Sequence, residues 1–187
     1  MITYPYLNLN NTILYALQNA FAIIKYKKEK PYNSLLILTT INIHKPLNVL
    51  LADDDRDDKD LFIEAVSEFN KQIKVATVKD GEELMNTLIN AIQLPDIIFL
   101  DLNMPNKNGE QCLIEIRMNE LLKNIPVIIY STSSSAADIE VTYKNGATLY
   151  IKKPSTYNDL KKVTEKFFSL NITELIAKPK IERFVFA

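Results

Sequence analysis

The chain has 187 residues, and its 22 lysines and arginines nearly balance its 23 aspartates and glutamates, which gives a net charge of −1 at pH 7. This length suits one domain with a proper hydrophobic core and leaves residues for a tail. A single cysteine, Cys112, and a single histidine, His44, exclude an intramolecular disulfide and a zinc site of histidine and cysteine ligands. We therefore expect a soluble globular protein that suits the reducing cytoplasm.

The first 46 residues differ in composition from the rest of the chain. They hold five lysines, one glutamate and no glycine, and their most apolar stretch, residues 12–24, is followed by lysines. A membrane span needs about 20 apolar residues, and a signal peptide carries its positive charge before the apolar run. We expect no membrane insertion and interpret residues 1–46 as a weakly structured extension or the product of a start codon assigned too early. A short docking helix and a membrane contact stay open.

From residue 47 onward, short apolar runs alternate with amphipathic stretches. The apolar runs predict five strands, at residues 47–52, 73–78, 96–100, 125–130 and 148–151. After the first strand, the apolar side chains are spaced as one face of a helix, namely Leu61, Phe62, Ala65, Val66 and Phe69. Four further helices are predicted at residues 81–92, 109–122, 136–143 and 156–168.

Five consecutive strand–helix units predict one parallel sheet with helices on both faces, which is the doubly wound α/β fold. Continuous apolar strands such as residues 97–100 support burial of the sheet on both sides. A fold of this kind binds its ligand outside the carboxyl ends of the strands, near the point where the strand order reverses. Polar residues at these strand ends are therefore the candidates for function.

Acidic and basic residues follow the predicted strands at these ends. Asp53 and Asp54 follow the first strand, Asp101 the third, Ser131 the fourth and Lys153 the fifth. If the first and third strands are neighbours, the carboxylates lie close together, and each pair about 4 Å apart repels by roughly 4 kcal/mol at an effective dielectric near 20. Cations are needed to offset this repulsion. Oxygen ligands with open positions suit Mg²⁺, and Lys153 supplies a second positive charge.

These residues resemble the receiver domain of two-component response regulators over residues 47–170. The matching pieces are Asp53-Asp54, the run from Asp101 to Pro105 with Gly109, Ser131-Thr132, Tyr150, and Lys153-Pro154. The resemblance implies a flavodoxin-like sheet of five parallel strands in the order 2-1-3-4-5, followed by a C-terminal tail at residues 171–187. The run of residues 131–133 and the lack of an output domain are similar to stand-alone regulators of the bacterial phytochrome type.

The resemblance also implies the chemistry of the site. Asp101 is the expected phosphoacceptor, which attacks the phosphoryl group of a phosphohistidine on a sensor histidine kinase or phosphotransfer protein. Asp54, Asp101 and the backbone carbonyl of Asn103 are expected to bind Mg²⁺ directly, and Asp53 either directly or through water. The metal then offsets charge in the transition state.

Three further residues are implied to respond to the phosphoryl group. Lys153 is expected to hydrogen-bond Asp101 before transfer and a phosphoryl oxygen afterwards. Ser131 offers its hydroxyl to another phosphoryl oxygen, and Tyr150 then swings into the space that the loop after the fourth strand leaves. The result is a two-state switch of a protein-binding surface.

Each of these acids also has a simpler interpretation. We assign Asp55, Asp57, Asp58 and Asp60 to the start of the first helix, where carboxylates favour the positive end of the helix dipole. Asp53 and Asp54 taken alone would suit a capping role, but Asp101 and Lys153 favour the metal site.

Two rival classes of protein also place acids in this way. A calcium-binding loop fits Asp53, Asp55, Asp57 and Glu64, but Asp58 stands where that loop needs glycine. A phosphatase of the haloacid-dehalogenase type carries a second aspartate two residues after its nucleophile, and here that residue is Asn103. General acid–base help for a leaving group is missing, which favours a switch over a multiple-turnover enzyme.

The chain after the last predicted helix is too short for a helix-turn-helix module, and the receiver region is acidic. We therefore expect no direct DNA binding and an output through a downstream protein target. The tail carries Ile181, Phe184, Val185 and Phe186, spaced as neither a clean helix nor a clean strand. We expect it to pack back on the domain or on a second copy, so that a homodimer stays open.

Overall fold

The computed structural model describes residues 46–170 and 180–186. The strands are β1 (Leu47–Ala52), β2 (Ile73–Val78), β3 (Ile97–Leu100), β4 (Val127–Ser131), β5 (Leu149–Lys152) and β6 (Val185–Phe186). The helices are α1 (Arg56–Phe69), α2 (Gly81–Ile89), α3 (Gly109–Met118), α4 (Ala136–Lys144) and α5 (Tyr157–Phe168), with a 3₁₀ turn at Ile181–Arg183. In these ranges the strands form one parallel sheet in the order β2-β1-β3-β4-β5-β6.

Each α-helix begins at a polar side chain that accepts a hydrogen bond from a backbone N–H of its first turn. Such caps satisfy donors that have no partner inside the helix, and they fix where each helix starts. The capping residues, in chain order, are Asp55, Asp80, Asn108, Ser135 and Thr156.

The helices cover both faces of the sheet, as predicted for a doubly wound fold. Alternate residues of β1 point to opposite faces, so Leu50 packs in the core under α2 and α3, whereas Leu51 packs in the core under α1 and α5. The continuous apolar strands are therefore explained by burial on both sides.

The register of β1 and β3 sets the position of the site. Ala52 lies beside Leu100 in the parallel pair, and the Asp101 amide donates a 2.9 Å hydrogen bond to the Ala52 carbonyl. The residues that follow these two strands, Asp53 and Asp101, are therefore neighbours across the sheet edge. The first and third strands are therefore adjacent, as the predicted cluster of carboxylates requires.

The predicted strand order 2-1-3-4-5 is confirmed, but the prediction of five strands is incomplete, because the tail adds β6 beside β5. Val185 pairs with Tyr150 and Phe186 with Ile151. Phe184 is fully buried, with its ring edge-on to Tyr143 at a centroid distance of 5.1 Å. The sequence predicts that the tail packs either on its own domain or on a second copy of the chain. Residues 180–186 pack on their own domain.

Several element boundaries differ from prediction by a few residues. Helix α2 ends at Ile89 and not at the predicted residue 92, and helix α3 ends at Met118 and not at residue 122. In each case the next residue is an asparagine, Asn90 or Asn119, whose backbone is no longer helical. No helix of the described residues is long and apolar enough to cross a membrane. The predictions for residues 1–45 and 171–179 lie outside the described residues.

Candidate functional site

The acids at the ends of β1 and β3 converge, as the sequence predicts. Carboxylate oxygens of Asp53, Asp54 and Asp101 all lie within 4.8 Å of one another. Asp53 and Asp101 are buried, whereas Asp54 is exposed. The cluster therefore opens to solvent on the Asp54 side and has the hard oxygen ligands that suit a divalent cation.

Lys153 brings its ammonium group into the same place. Its Nζ lies 2.7 Å from Asp53 Oδ2 and 2.8 Å from Asp101 Oδ2. The Lys153 amide donates a 2.8 Å hydrogen bond to the Ser131 carbonyl, which ties the loop after β5 to the end of β4. The prediction that residues far apart in sequence meet at one rim of the sheet is confirmed.

Burial and ion pairing act in opposite directions on these groups. Burial lowers the pKa of the Lys153 ammonium, but contacts with Asp101, Asp53 and Asp58 outweigh it, so that this pKa is raised and the group stays protonated at neutral pH. Burial raises the pKa of Asp53, and the contacts with Lys153 reverse this only in part. Burial therefore outweighs the ion pair at Asp53, and a bound cation would favour the charged form of this carboxyl group.

Two buried polar atoms have no hydrogen-bond partner within the described residues, and both face this strand end. They are Asp53 Oδ2 and Ser131 Oγ. Asp53 Oδ2 is close enough to Lys153 for an ion pair, but the angles do not make a hydrogen bond. Buried polar atoms are normally paired. Ser131 Oγ is therefore available to bond a ligand oxygen, and Asp53 Oδ2 has a further lone pair besides its ion pair with Lys153. A cation at Asp53 and an anionic oxygen at Ser131 fit this donor set.

The loop after β3 holds the other oxygen of Asp101. The Asn103 amide donates a 3.1 Å hydrogen bond to Asp101 Oδ1, while Oδ2 accepts one from Lys153. Gly109 lies so close to the Asp101 carbonyl that a side chain would collide with it. The loop thus fixes the Asp101 carboxylate in one orientation, with the backbone of Asn103 beside it.

Comparison with known proteins agrees with this geometry. The family model for the response regulator receiver domain matches residues 49–165, more than half of the chain. The chain is a response regulator receiver protein.

Relatives and solved structures extend this result. Response regulator Rcp1 of Synechocystis sp. is 30% identical over 125 residues, which cover 64% of this chain and 85% of Rcp1. The probable methanogenesis regulatory protein FilR2 of Methanothrix harundinacea is 29% identical over 125 residues, covering 65% of this chain and 81% of FilR2. The phosphorylated cyanobacterial phytochrome response regulator RcpA superposes with a TM-score of 0.61 at 34% identity, covering 64% of this chain and 89% of RcpA.

The receiver domain places the predicted switch tyrosine inside the core. Tyr150 is buried, and its hydroxyl donates a 3.1 Å hydrogen bond to the Ser133 carbonyl in the loop after β4. The sequence predicts that this ring moves inward only after phosphorylation. In the structure the ring is already inside, and Phe184 of the tail packs against it at a centroid distance of 6.2 Å. Its switch role stays a prediction.

One member of the receiver site was missed from the sequence. Asp58 lies in the first turn of α1 as predicted, but its Oδ2 also lies 2.9 Å from Lys153 Nζ, so the interpretation as a helix-start residue is incomplete. The interpretation of Asp55 is confirmed, since its side chain accepts hydrogen bonds from the amides of Asp57 and Asp58. Four acids crowd the start of this helix, and the sequence has no signal that says which one turns toward Lys153.

The receiver geometry also bears on the rival classes. The candidate calcium loop from Asp53 to Glu64 is occupied by helix α1 from Arg56 onward, so it has no loop to wrap around an ion. Asn103 is exposed, and the acid of a haloacid-dehalogenase site is absent at that position. Neither alternative gains support.

Proposed function

We propose that Asp101 accepts a phosphoryl group from a histidine kinase or phosphotransfer protein with the help of Mg²⁺, and that this changes a protein-binding surface. The observation that carries the proposal is the position of Asp101. Its carboxylate is almost fully buried, contacts the Lys153 ammonium at 2.8 Å, and lies within 4.8 Å of Asp53 and Asp54. A nucleophile held between a fixed cation and a metal-binding pair of acids is suited to attack an anionic phosphoryl group.

Asp53, Asp54 and Asp101, with the backbone carbonyl of Asn103, would hold the Mg²⁺ ion. The buried Asp53 carboxylate supports this assignment, because its 2.7 Å ion pair with Lys153 leaves further oxygen lone pairs for a cation. The bound metal would offset the charge of carboxylate and phosphoryl oxygens as they approach each other. Rcp1 has been solved in a Mn²⁺-bound form and superposes with a TM-score of 0.60 at 30% identity, covering 67% of this chain and 94% of Rcp1.

Asp101, Lys153 and Ser131 would each take part in the transfer of the phosphoryl group. A carboxylate oxygen of Asp101 forms a bond to phosphorus while the bond from phosphorus to the donor nitrogen breaks, and the electron pair of that bond leaves with the nitrogen. Lys153 keeps its proton and donates a hydrogen bond to a phosphoryl oxygen, and the Ser131 hydroxyl donates one to another. Since Asn103 stands where a phosphatase of the haloacid-dehalogenase type has its second acid, the site would lack that general acid–base group for multiple turnover.

The structural change on phosphorylation would spread from the end of β4 through the loop that follows it to Tyr150 and α4. The loop after β4 contains Ser131 and the Ser133 carbonyl that holds the Tyr150 hydroxyl. Movement of Ser131 toward the phosphoryl group would therefore alter the Tyr150 contact and the surface of α4, which follows this loop. We propose that this surface binds a downstream protein, without direct DNA contact, or a second copy of the chain.

We also propose the organisation and location that the sequence predicts. The receiver domain would span residues 47–170, preceded by an extension at residues 1–46 and followed by the tail at residues 171–187. A chain of this kind would act in the cytoplasm, where sensor kinases present their phosphohistidine.

Incubation with acetyl phosphate and Mg²⁺, followed by intact mass measurement, tests the proposed function. We expect the wild type to gain about 80 Da, the mass of one phosphoryl group. Asp101→Asn lacks the nucleophile and is expected to gain nothing under the same conditions. A stable adduct on the variant, or none on either protein at saturating donor, would contradict the proposal.

A further inference from the structure

Lys153 is held by a third carboxylate that the assigned site does not use. Besides Asp53 and Asp101, Nζ contacts Asp58 Oδ2 at 2.9 Å, across 95 positions of sequence. The contacts with Asp58 and Asp101 have the geometry of hydrogen bonds. The ammonium therefore bridges the start of α1 and the end of β3.

The local structure of the β1–α1 loop leaves Asp58 available for this contact. Asp58 is the third residue of α1, a position whose side chain often turns back to the amide of the capping residue. Here the amide of the capping residue, Asp55, donates instead to Asp53 Oδ1 at 3.1 Å. The Asp58 carboxylate therefore does not bond the capping amide, and it contacts Lys153 instead.

We propose that Asp58 is a positioning residue that aims the Lys153 ammonium at Asp101 and retains it there during phosphoryl transfer. The inference rests on the proposed function. Asp58 itself touches neither the phosphorus atom nor the metal in this account, and it acts through Lys153.

The fate of the three carboxylates during the reaction supports this role. Asp101 turns from a charged carboxylate into an acyl phosphate, so its attraction for Lys153 passes to the phosphoryl oxygens. Asp53 shares its charge with the metal. Of the three carboxylates that contact Nζ, Asp58 is the one left unchanged by both events. It can therefore hold one N–H of Lys153 while another follows the phosphoryl group.

The side chain of Lys153 needs such a restraint. A lysine has a flexible four-carbon stem and an ammonium with three rotating donors, so its position depends on its partners. The Asp58 side chain is 38% exposed, and water can replace it when it is removed. Loss of Asp58 therefore leaves the ammonium charged but less well directed, and misplacement by an ångström can slow a reaction by up to about a hundredfold.

The rate of phosphorylation by acetyl phosphate, measured over a series of Mg²⁺ concentrations on the full chain, tests the role of Asp58. We expect Asp58→Ala to lower the rate at saturating Mg²⁺ and donor by about tenfold, the effect of losing one charge-assisted hydrogen bond. Asp58→Glu is expected to recover most of the rate, because it restores a carboxylate near Nζ. Asp58→Asn, which keeps the shape, is expected to fall between them and serves if Asp58→Ala folds poorly.

Asp57→Asn is the matched control, since Asp57 is an exposed acid in the same turn of α1. It removes the same charge from the helix start and is expected to change the saturated rate by less than about twofold. A rate for Asp58→Ala at or above that of wild type, or a deficit that high Mg²⁺ abolishes, would overturn the inference. Absence of any adduct on the wild type would instead overturn the proposed function.

Discussion

The amide of Tyr150 donates a 2.9 Å hydrogen bond to the carbonyl oxygen of Phe184, which joins the tail to the strand that carries the predicted switch residue. The Phe184 ring is fully buried between Tyr143 and Tyr150. The tail therefore completes the core on the side of the sheet where the proposed output surface lies.

We predict that Phe184→Ala lowers the free energy of unfolding by about 3 kcal/mol, the usual cost of deleting a buried aromatic ring. Urea unfolding measures this loss. Ile181→Ala is the control, because Ile181 is 44% exposed in the same segment, and its effect is expected to stay below about 0.5 kcal/mol. Equal effects of the two variants would show that the packing of Phe184 does not stabilise the domain.

Mg²⁺ is predicted to stabilise the wild type against unfolding, since in the proposed site the folded state would bind the ion at Asp53, Asp54 and Asp101. At a concentration one hundred times the dissociation constant, this linkage amounts to about 2.7 kcal/mol. Asp54→Asn is expected to remove most of the effect while leaving the fold intact, because Asp54 is exposed. The control Asp57→Asn should keep it. Equal stabilisation of all three proteins by Mg²⁺ would contradict the assigned ligand set.

The stability of the metal-free protein is predicted to depend on pH through Asp53. Burial raises the pKa of Asp53 above its ordinary value of 3.8. The folded state then holds this proton more tightly than the unfolded state, so the stabilisation is present below pH 3.8 and is lost as pH rises through the higher folded value. Asp53→Asn lacks this dependence.

Urea unfolding in the presence of a chelator checks the sign of this effect. The stability of wild type minus that of Asp53→Asn is expected to fall as the pH increases from about 4 to about 7. A difference that grows over this range would mean that Lys153 stabilises the Asp53 carboxylate more than burial destabilises it.

Ser131 and Thr132 offer the same hydroxyl chemistry in the sequence, and the structure distinguishes them. Ser131 is buried, with a hydroxyl that has no hydrogen-bond partner within residues 46–170 and 180–186, whereas Thr132 is exposed. We predict that Ser131→Ala slows phosphorylation by acetyl phosphate about tenfold, because in the proposed mechanism its hydroxyl would bond a phosphoryl oxygen. Little stability should be lost, because this hydroxyl has no hydrogen bond to lose among the described residues. Thr132→Ala should phosphorylate at nearly the wild-type rate. The reverse ranking of the two variants would assign the role to Thr132.

The strand pattern was sufficient to predict a doubly wound parallel sheet with Asp53, Asp101 and Lys153 at one edge, whereas the strand order came from the resemblance to receiver domains. Long apolar strands on a doubly wound sheet have their polar ends at one edge, and this rule depends on the pattern of the whole domain rather than on local detail. The same residues also carry the resemblance to receiver domains, so two lines of reasoning agreed on them.

Two features were beyond the sequence for physical reasons. The strand β6 has two residues, too few to show a period, and it forms because Phe184 finds a site between two tyrosines. The contact of Asp58 with Lys153 depends on which amide Asp53 accepts, and that is decided by the geometry of the folded loop. Both features come from tertiary contacts that local propensity does not encode.

Borohydride trapping of the phosphorylated protein identifies the residue that accepts the phosphoryl group. Borohydride reduces an aspartyl phosphate to homoserine, and peptide mass spectrometry then locates the modified residue. We expect homoserine at position 101 after treatment with acetyl phosphate and Mg²⁺, and no homoserine without the donor. Homoserine at position 53 or 54, or phosphate bound with no reducible acyl linkage, would contradict the assignment of Asp101 as the phosphoacceptor.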